Sequence, residues 1–193
     1  MRDPEIRLIL RRTELSKYIS DPNSKVVNEL KLPVAKARID MAVVNGELHG
    51  YEIKSASDTL QRLPSQIIAY SKVFDYITIV TEGVYYGKIL NNIPDWVGIA
   101  VCSNAVGVPE YELVKEPKLN PHRDGFYIAK LLRKEELIEV LSEREIPHKK
   151  NDRVWSLCNI LSKNLEVSVL SDLIREKLKQ RENWQIKESL SSV

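Results

Sequence analysis

Arg38-Ile39-Asp40-Met41-Ala42-Val43-Val44-Asn45-Gly46-Glu47-Leu48-His49-Gly50-Tyr51-Glu52-Ile53-Lys54-Ser55 reads as two strands folded about a turn. Ile39, Met41 and Val43 alternate with Asp40, Ala42 and Val44, the period of a pleated strand. Asn45-Gly46 is a strong hairpin signal, and the segment from Glu47 to Ser55 returns as the partner strand. Glu52 and Lys54 stand two apart on one strand and so share a face. An aspartate inside an apolar strand is uncommon, because a buried carboxylate needs a cation or hydrogen-bond donors.

Toward the N-terminus, Pro4 fits a first helical turn with Asp3 as its N-cap. Ile6, Ile9, Leu10, Leu15 and Ile19 continue at helical spacing to residues 18–20, where Asp21-Pro22 stops the helix. Val26 and Val27 open a short extended segment carrying Glu29. Toward the C-terminus, a helix starting at Asp58 or Pro64 runs to Phe74 with Leu63, Ile67 and Tyr70 on one face. Tyr76 to Thr81 is a buried strand by its β-branched content, residues 85–92 a short helix, and Trp96 to Cys102 a last core strand. From Ser103 to Gly125 the chain reads as irregular, interrupted by Pro109, Pro117 and Pro121. Beyond Gly125 there are only helical patterns, over 127–143, 152–161 and 167–182. The expectation is an α/β fold: a mixed central β-sheet flanked by helices over residues 1–106, an irregular linker over 107–125 and a helical C-terminal extension over 126–193.

The 193 residues are 43% hydrophobic and 29% charged, an ordinary globular composition. Twenty-nine basic against 27 acidic side chains leave +2, so an anionic partner would have to be held by a local patch. Cys102 and Cys158 cannot build a disulfide framework or a four-cysteine site. No apolar run approaches a membrane span, and the start lacks the apolar stretch of a signal peptide, so a cytoplasmic protein with no membrane partner is expected. No P-loop, G-x-S-x-G or H-E-x-x-H motif is present. His49 reads as a strand-surface residue, Cys102, Cys158, Trp96 and Trp155 as core, and Trp184 is undetermined.

Glu29, Asp40, Glu52, Lys54, Gln66 and Tyr70 crowd into the first 70 residues. Carboxylates converging from neighbouring strands can hold Mg²⁺ or Mn²⁺, with waters completing the shell. Such an ion lowers the pKa of a bound water and polarises a phosphoryl group, while Lys54 orients that water or stabilises developing charge. Gln66 and Tyr70, four apart, share one helix face; core packing of Tyr70 is the plainer alternative. Register tests the idea. With a strict two-residue turn Asp40 pairs with Tyr51, and Asp40 and Glu52 face opposite sides. With a three-residue loop ending in a bulge at Gly46, Asp40 pairs with Gly50, which leaves room for an ion, and Glu52 lies one diagonal step away on the same face.

In this order and spacing, Glu29, Ile39-Asp40, Glu52-x-Lys54 and Gln66-x-x-x-Tyr70 resemble the PD-(D/E)XK nuclease superfamily, specifically its RecB-like branch with a Q-x-x-x-Y helix. The stretches from Ala37 through Gly50-Tyr-Glu-Ile-Lys-Ser to Tyr70-Ser-Lys-Val-Phe-Asp, with Ile93-Pro-Asp-Trp-Val-Gly-Ile and Leu131-Leu-Arg-Lys-Glu-Glu-Leu, are similar to small bacterial and phage proteins assigned to that superfamily. The resemblance implies a restriction-endonuclease-like core and a metal-dependent nuclease. Glu29, Asp40 and Glu52 would ligate Mg²⁺ or Mn²⁺, Lys54 would act in catalysis, and Gln66 and Tyr70 would support the site. Ile39 replaces the motif's proline, and the cysteines of iron–sulfur relatives are missing, so no cluster is expected. DNA is the expected partner, its backbone held by Lys36, Arg38 and Arg62. The alternative is a nuclease-fold DNA-binding or protein-interaction module with little activity; a homo-oligomer or protein partner is left open. In the C-terminal half, the pattern Leu132 to Leu141, then Ile146-Pro-His-Lys-Lys, then a second apolar helix is loosely similar to the SAP-type DNA-binding module. Lys149, Lys150 and Arg153, with His148, would be its phosphate contacts. An amphipathic helical pair packed on the sheet is the plainer reading.

Overall fold

The computed structural model describes residues 1–55, 57–104 and 107–181. Its centre is a six-stranded mixed sheet in the order β1 (Lys25–Lys31), β2 (Arg38–Val44), β3 (Leu48–Lys54), β4 (Tyr76–Glu82), β5 (Gly98–Ser103) and β6 (Glu110–Lys115). β1, β2 and β3 form an antiparallel meander. β4 and β5 run parallel to β3, and β6 returns antiparallel to β5. Helix α3 (Leu63–Ser71), entered through a 3₁₀ turn at Leu60–Arg62, makes the crossover from β3 to β4, as a parallel pair requires. A 3₁₀ turn at Gly83–Tyr85 and α4 (Tyr86–Leu90) connect β4 to β5.

One face of the sheet is covered by α1 (Asp3–Arg12) and α2 (Ser16–Ile19). Ile6, Ile9 and Leu10 of α1 pack there against Met41, Val43, Tyr51, Ile53 and Val80. Each such buried aliphatic contributes about 1.5–3 kcal/mol, enough to fix a ten-residue helix that is too short to persist alone. The other face carries α3 and the C-terminal helices α5 (Gly125–Ala129), α6 (Lys134–Glu143), α7 (Val154–Asn164) and α8 (Val167–Gln180).

Several expectations are corrected. The Asn45-Gly46 turn is a three-residue loop, Asn45 to Glu47, with Val44 opposite Leu48. Gly46 is not in the left-handed region, so no glycine bulge forms there. Gly50 opposes Ala42 rather than Asp40. Its missing side chain leaves room for Ile39 and Phe74, since a Cβ there would run into Ile39 Cδ1. The segment read as an irregular linker contains β6. The helix expected from Asp3 to about Ser20 is split into α1 and α2, with Arg2 rather than Asp3 at the N-cap position. The helix expected over 127–143 is likewise split, into α5 and α6.

The C-terminal helices are not a separate unit. Leu137, Val140, Leu157, Leu161, Leu170, Ile174 and Leu178 belong to the same apolar cluster as Val27, Ala42, Val44 and Leu48 of the sheet. Buried Asp75 fastens the two halves: its carboxylate accepts from the Leu48 amide at 2.7 Å and pairs with Arg123 and with Arg175 of α8. Cys102, Cys158 and Trp96 are buried as expected, whereas Trp155 is 66% exposed. His49 is half-buried rather than on the surface, stacked on Tyr51 and bonded to Thr78 Oγ1 at 2.8 Å. Trp184 lies outside the described residues. Among those residues, no helix is long and apolar enough to cross a membrane.

Candidate active site

Three carboxylates lie in register across the meander. Asn28 opposes Met41 and Leu30 opposes Ile39, so Glu29 falls across from Asp40. Met41 opposes Tyr51, so the next step brings Asp40 opposite Glu52. The β2–β3 ladder opens at that step. Instead of a main-chain partner, the Ile53 amide donates to Asp40 Oδ2 at 2.8 Å. The Asp40 side chain therefore stands between the two strands, reached from α1 on one side and beside Glu52 on the other.

Glu52 and Lys54 are 3% and 4% exposed. Lys54 Nζ donates to Glu52 Oε1 at 2.7 Å and to Gln66 Oε1 at 2.9 Å. The Gln66 amide donates to the same Glu52 oxygen at 2.6 Å, and the Tyr70 hydroxyl donates to Glu52 Oε2 at 2.6 Å. Burial and the Glu52 charge push the Tyr70 phenol well above its ordinary range, so it stays a donor. Gln66 and Tyr70 thus use the four-residue spacing of α3 to grip one carboxylate, whose lysine partner is held by the same glutamine. Tyr70 is also fully buried, so the core reading and the site reading are both true of it.

Asp40 is less well compensated. Burial first, and the Glu52 charge second, raise its pKa to about 7, against the Ile53 hydrogen bond and the Arg7 charge, which lower it. Arg7 was not singled out in the sequence. Its guanidinium donates to Glu29 Oε1 at 2.8 Å, to Asp40 Oδ1 at 3.2 Å and to the Asp40 carbonyl at 2.9 Å. An arginine one position after an apolar helix residue carries no motif, and its role comes only from α1 docking over β2. Glu29, at a left-handed φ of 54°, pairs with both Arg7 and Arg38.

Asp40, Glu52, Lys54 and Gln66 open onto a cleft of about 850 Å³. Lys36, Arg38 and Arg62 line the same cleft, with Asp3, Asp58 and Ser65, which sequence reasoning also missed. Lys36 is delivered by the β1–β2 loop, where Ala35 and Lys36 adopt consecutive left-handed φ values of 49° and 55°. Main-chain bonds from Leu32 to Ala37 and from Ala37 to Val34 hold that loop closed. Non-glycine residues rarely adopt this conformation unless the surroundings enforce it. Glu29 does not line the cleft; it reaches Asp40 through Arg7. Lys149, Lys150 and Arg153 are exposed on the α6–α7 connection, also away from the cleft lining. As the side chains stand, no three His, Cys, Asp or Glu groups among the described residues are gathered to hold a metal ion.

The family described as Bacteriophage P4 protein cII matches residues 2–191. The chain belongs to that family. Protein cII of Enterobacteria phage P4 is 22% identical over 182 residues, which cover 94% of this chain and 68% of that protein. Among solved structures, a protein of unknown function from Silicibacter pomeroyi is similar at 18% identity with a TM-score of 0.41, covering 72% of this chain and 92% of that one. The family match spans the whole described sheet and the C-terminal helices, in keeping with their common core.

Proposed function

We propose that this cII-family chain is a metal-dependent nuclease of the PD-(D/E)XK type, hydrolysing phosphodiester bonds of DNA in the cleft beside β2 and β3. The observation that carries the reading is the convergence of Asp40, Glu52, Lys54 and Gln66 on one cleft rimmed by Lys36, Arg38 and Arg62. The meander, the α3 crossover into parallel β4 and α1 on the opposite face support a restriction-endonuclease-like core.

The donor set fits Mg²⁺ or Mn²⁺. Asp40 and Glu52 offer hard carboxylate oxygens on adjacent strands; burial, and then the Glu52 charge, raise the Asp40 pKa, and a bound cation would favour its charged form. When bound, such an ion supplies an acidified water and polarises the phosphoryl group. Lys54, fixed by Glu52 and Gln66, holds the attacking water in line or neutralises charge building on the phosphoryl oxygens. Tyr70 and Gln66 keep Glu52 in one orientation at the wall of the cleft. Lys36, Arg38 and Arg62 take the flanking phosphates, and binding falls steeply with salt.

Every carboxylate of the row is already engaged by a cation or donor of the chain itself, which favours a second reading: a nuclease-fold DNA-binding module with little activity. Cleavage separates the two. Circular single-stranded, circular duplex and linear DNA are incubated with Mg²⁺ or Mn²⁺ and wild-type, Lys54→Met or Asp40→Asn protein. Cleavage lost in both folded variants supports the nuclease. DNA binding without cleavage by the wild type supports the binding module.

A further inference from the structure

Trp155 is the second residue of an 11-residue helix whose opposite side, Leu157, Cys158 and Leu161, is fully buried, yet its indole is 66% exposed. The ring is not idle. It meets Phe126 edge-on at 6.2 Å between centroids, Phe126 meets Tyr127 at 5.3 Å, and Lys130 Nζ lies 5.8 Å from the Phe126 centroid. The connection leading into α7 is cationic: Arg144, Lys149, Lys150 and Arg153 stand against Glu145 and Asp152 alone. None of these four basic side chains has an ion-pair partner among the described residues. The turn is folded back on itself, with the Lys149 amide bonded to the Asp152 carboxylate and the Asp152 amide to the Lys149 carbonyl, both at 2.9 Å. That closure brings Lys149 and Lys150 next to Arg153 and the start of α7.

An exposed aromatic ring at the start of a helix that is entered through a cationic connection suits a ligand with π-faces joined by regularly spaced negative charges. The local excess of positive charge favours a polyanion over an uncharged surface. We infer that Trp155, supported by Phe126 and flanked by Lys149, Lys150 and Arg153, is a stacking site for single-stranded nucleic acid, separate from the β2–β3 cleft. One or two unpaired bases lie on the indole while the lysines and Arg153 take the adjoining phosphates. A duplex hides its base faces within the stack and gains only the charge term. The inference does not depend on the nuclease reading.

The test is fluorescence anisotropy of a labelled oligothymidine and of the matching duplex, with the full chain in EDTA so that cleavage plays no part. Trp155→Ala is expected to weaken the single strand about tenfold while changing duplex binding little. Trp155→Phe, keeping a ring, retains most of the affinity. Lys149→Ala with Lys150→Ala weakens both ligands and flattens the salt dependence. The Lys36→Ala, Arg62→Ala pair, which alters the cleft, leaves the Trp155-dependent difference between the two ligands intact. Equal single-strand affinity of wild type and Trp155→Ala would overturn the proposal. So would a Trp155→Ala effect confined to self-association in sedimentation, which would make the patch a protein interface.

Discussion

The Asp40 carboxylate takes the Ile53 amide, faces Arg7 on one side and feels the Glu52 charge on the other. Its folded-state pKa of about 7 stands above its value in an unfolded chain. The folded protein therefore keeps a proton that the unfolded chain releases. This group's contribution to stability is full below about pH 4 and is lost as pH rises through about 7. In chelator, the melting temperature of the wild type relative to that of Asp40→Asn is therefore predicted to fall over that window. Thermal melts at half-unit pH steps check this; parallel slopes for the two proteins would contradict it. At this scale the sequence was legible where a spacing sets a direction. Two residues on a strand place Glu52 with Lys54, and four on a helix place Gln66 with Tyr70. Arg7 had no such signature, because its meaning depends on where α1 docks.

Among the elements, β6 was invisible for a physical reason. Glu110-Tyr-Glu-Leu-Val-Lys115 is an edge strand with hardly any buried face, so it shows no alternation, and charged side chains protect such edges. What holds it in place is a close approach at its far end. A Cβ on Gly98 would lie 2.9 Å from the Lys115 carbonyl and 2.9 Å from the Pro117 nitrogen, both main-chain atoms that cannot swing aside. Gly98→Ala is predicted to destabilise the protein by about 1–3 kcal/mol in urea denaturation. A change near zero would mean that the β6 pairing is not held as described. The hairpin shows the opposite balance. Its two strands and the presence of a turn were legible, and Asp40 and Glu52 do line one cleft, as the site expected from the sequence requires. The loop that achieves this, Asn45 to Glu47 without a glycine bulge, was not. One residue of register decides the partner of every side chain, and local composition leaves that residue open.

Over the whole molecule, the proline-interrupted stretch suggested a boundary, whereas the core runs through it. Asn120, buried, donates to the carbonyls of Ser71 and Phe74, and Arg123 and Arg175 converge on Asp75, so the connection is bolted to the end of α3. Composition marks where a chain bends; whether the C-terminal helices then pack elsewhere or fold back on the sheet is a tertiary matter. A chain ending at residue 124 would expose Val27, Ala42, Val44 and Leu48 on one face of the sheet. It is predicted to lack a cooperative thermal transition and to bind hydrophobic dyes. A cooperative melt of that fragment would restore the two-unit reading.

The central claim is that the β2–β3 cleft is built around a hard divalent cation, and calorimetric titration of the chelator-stripped chain with Mn²⁺ tests it most directly. About one ion per chain is predicted to bind, with the heat lost in Asp40→Asn and in Glu52→Gln while both variants stay folded. No binding by the wild type, or binding that survives both substitutions, would contradict it.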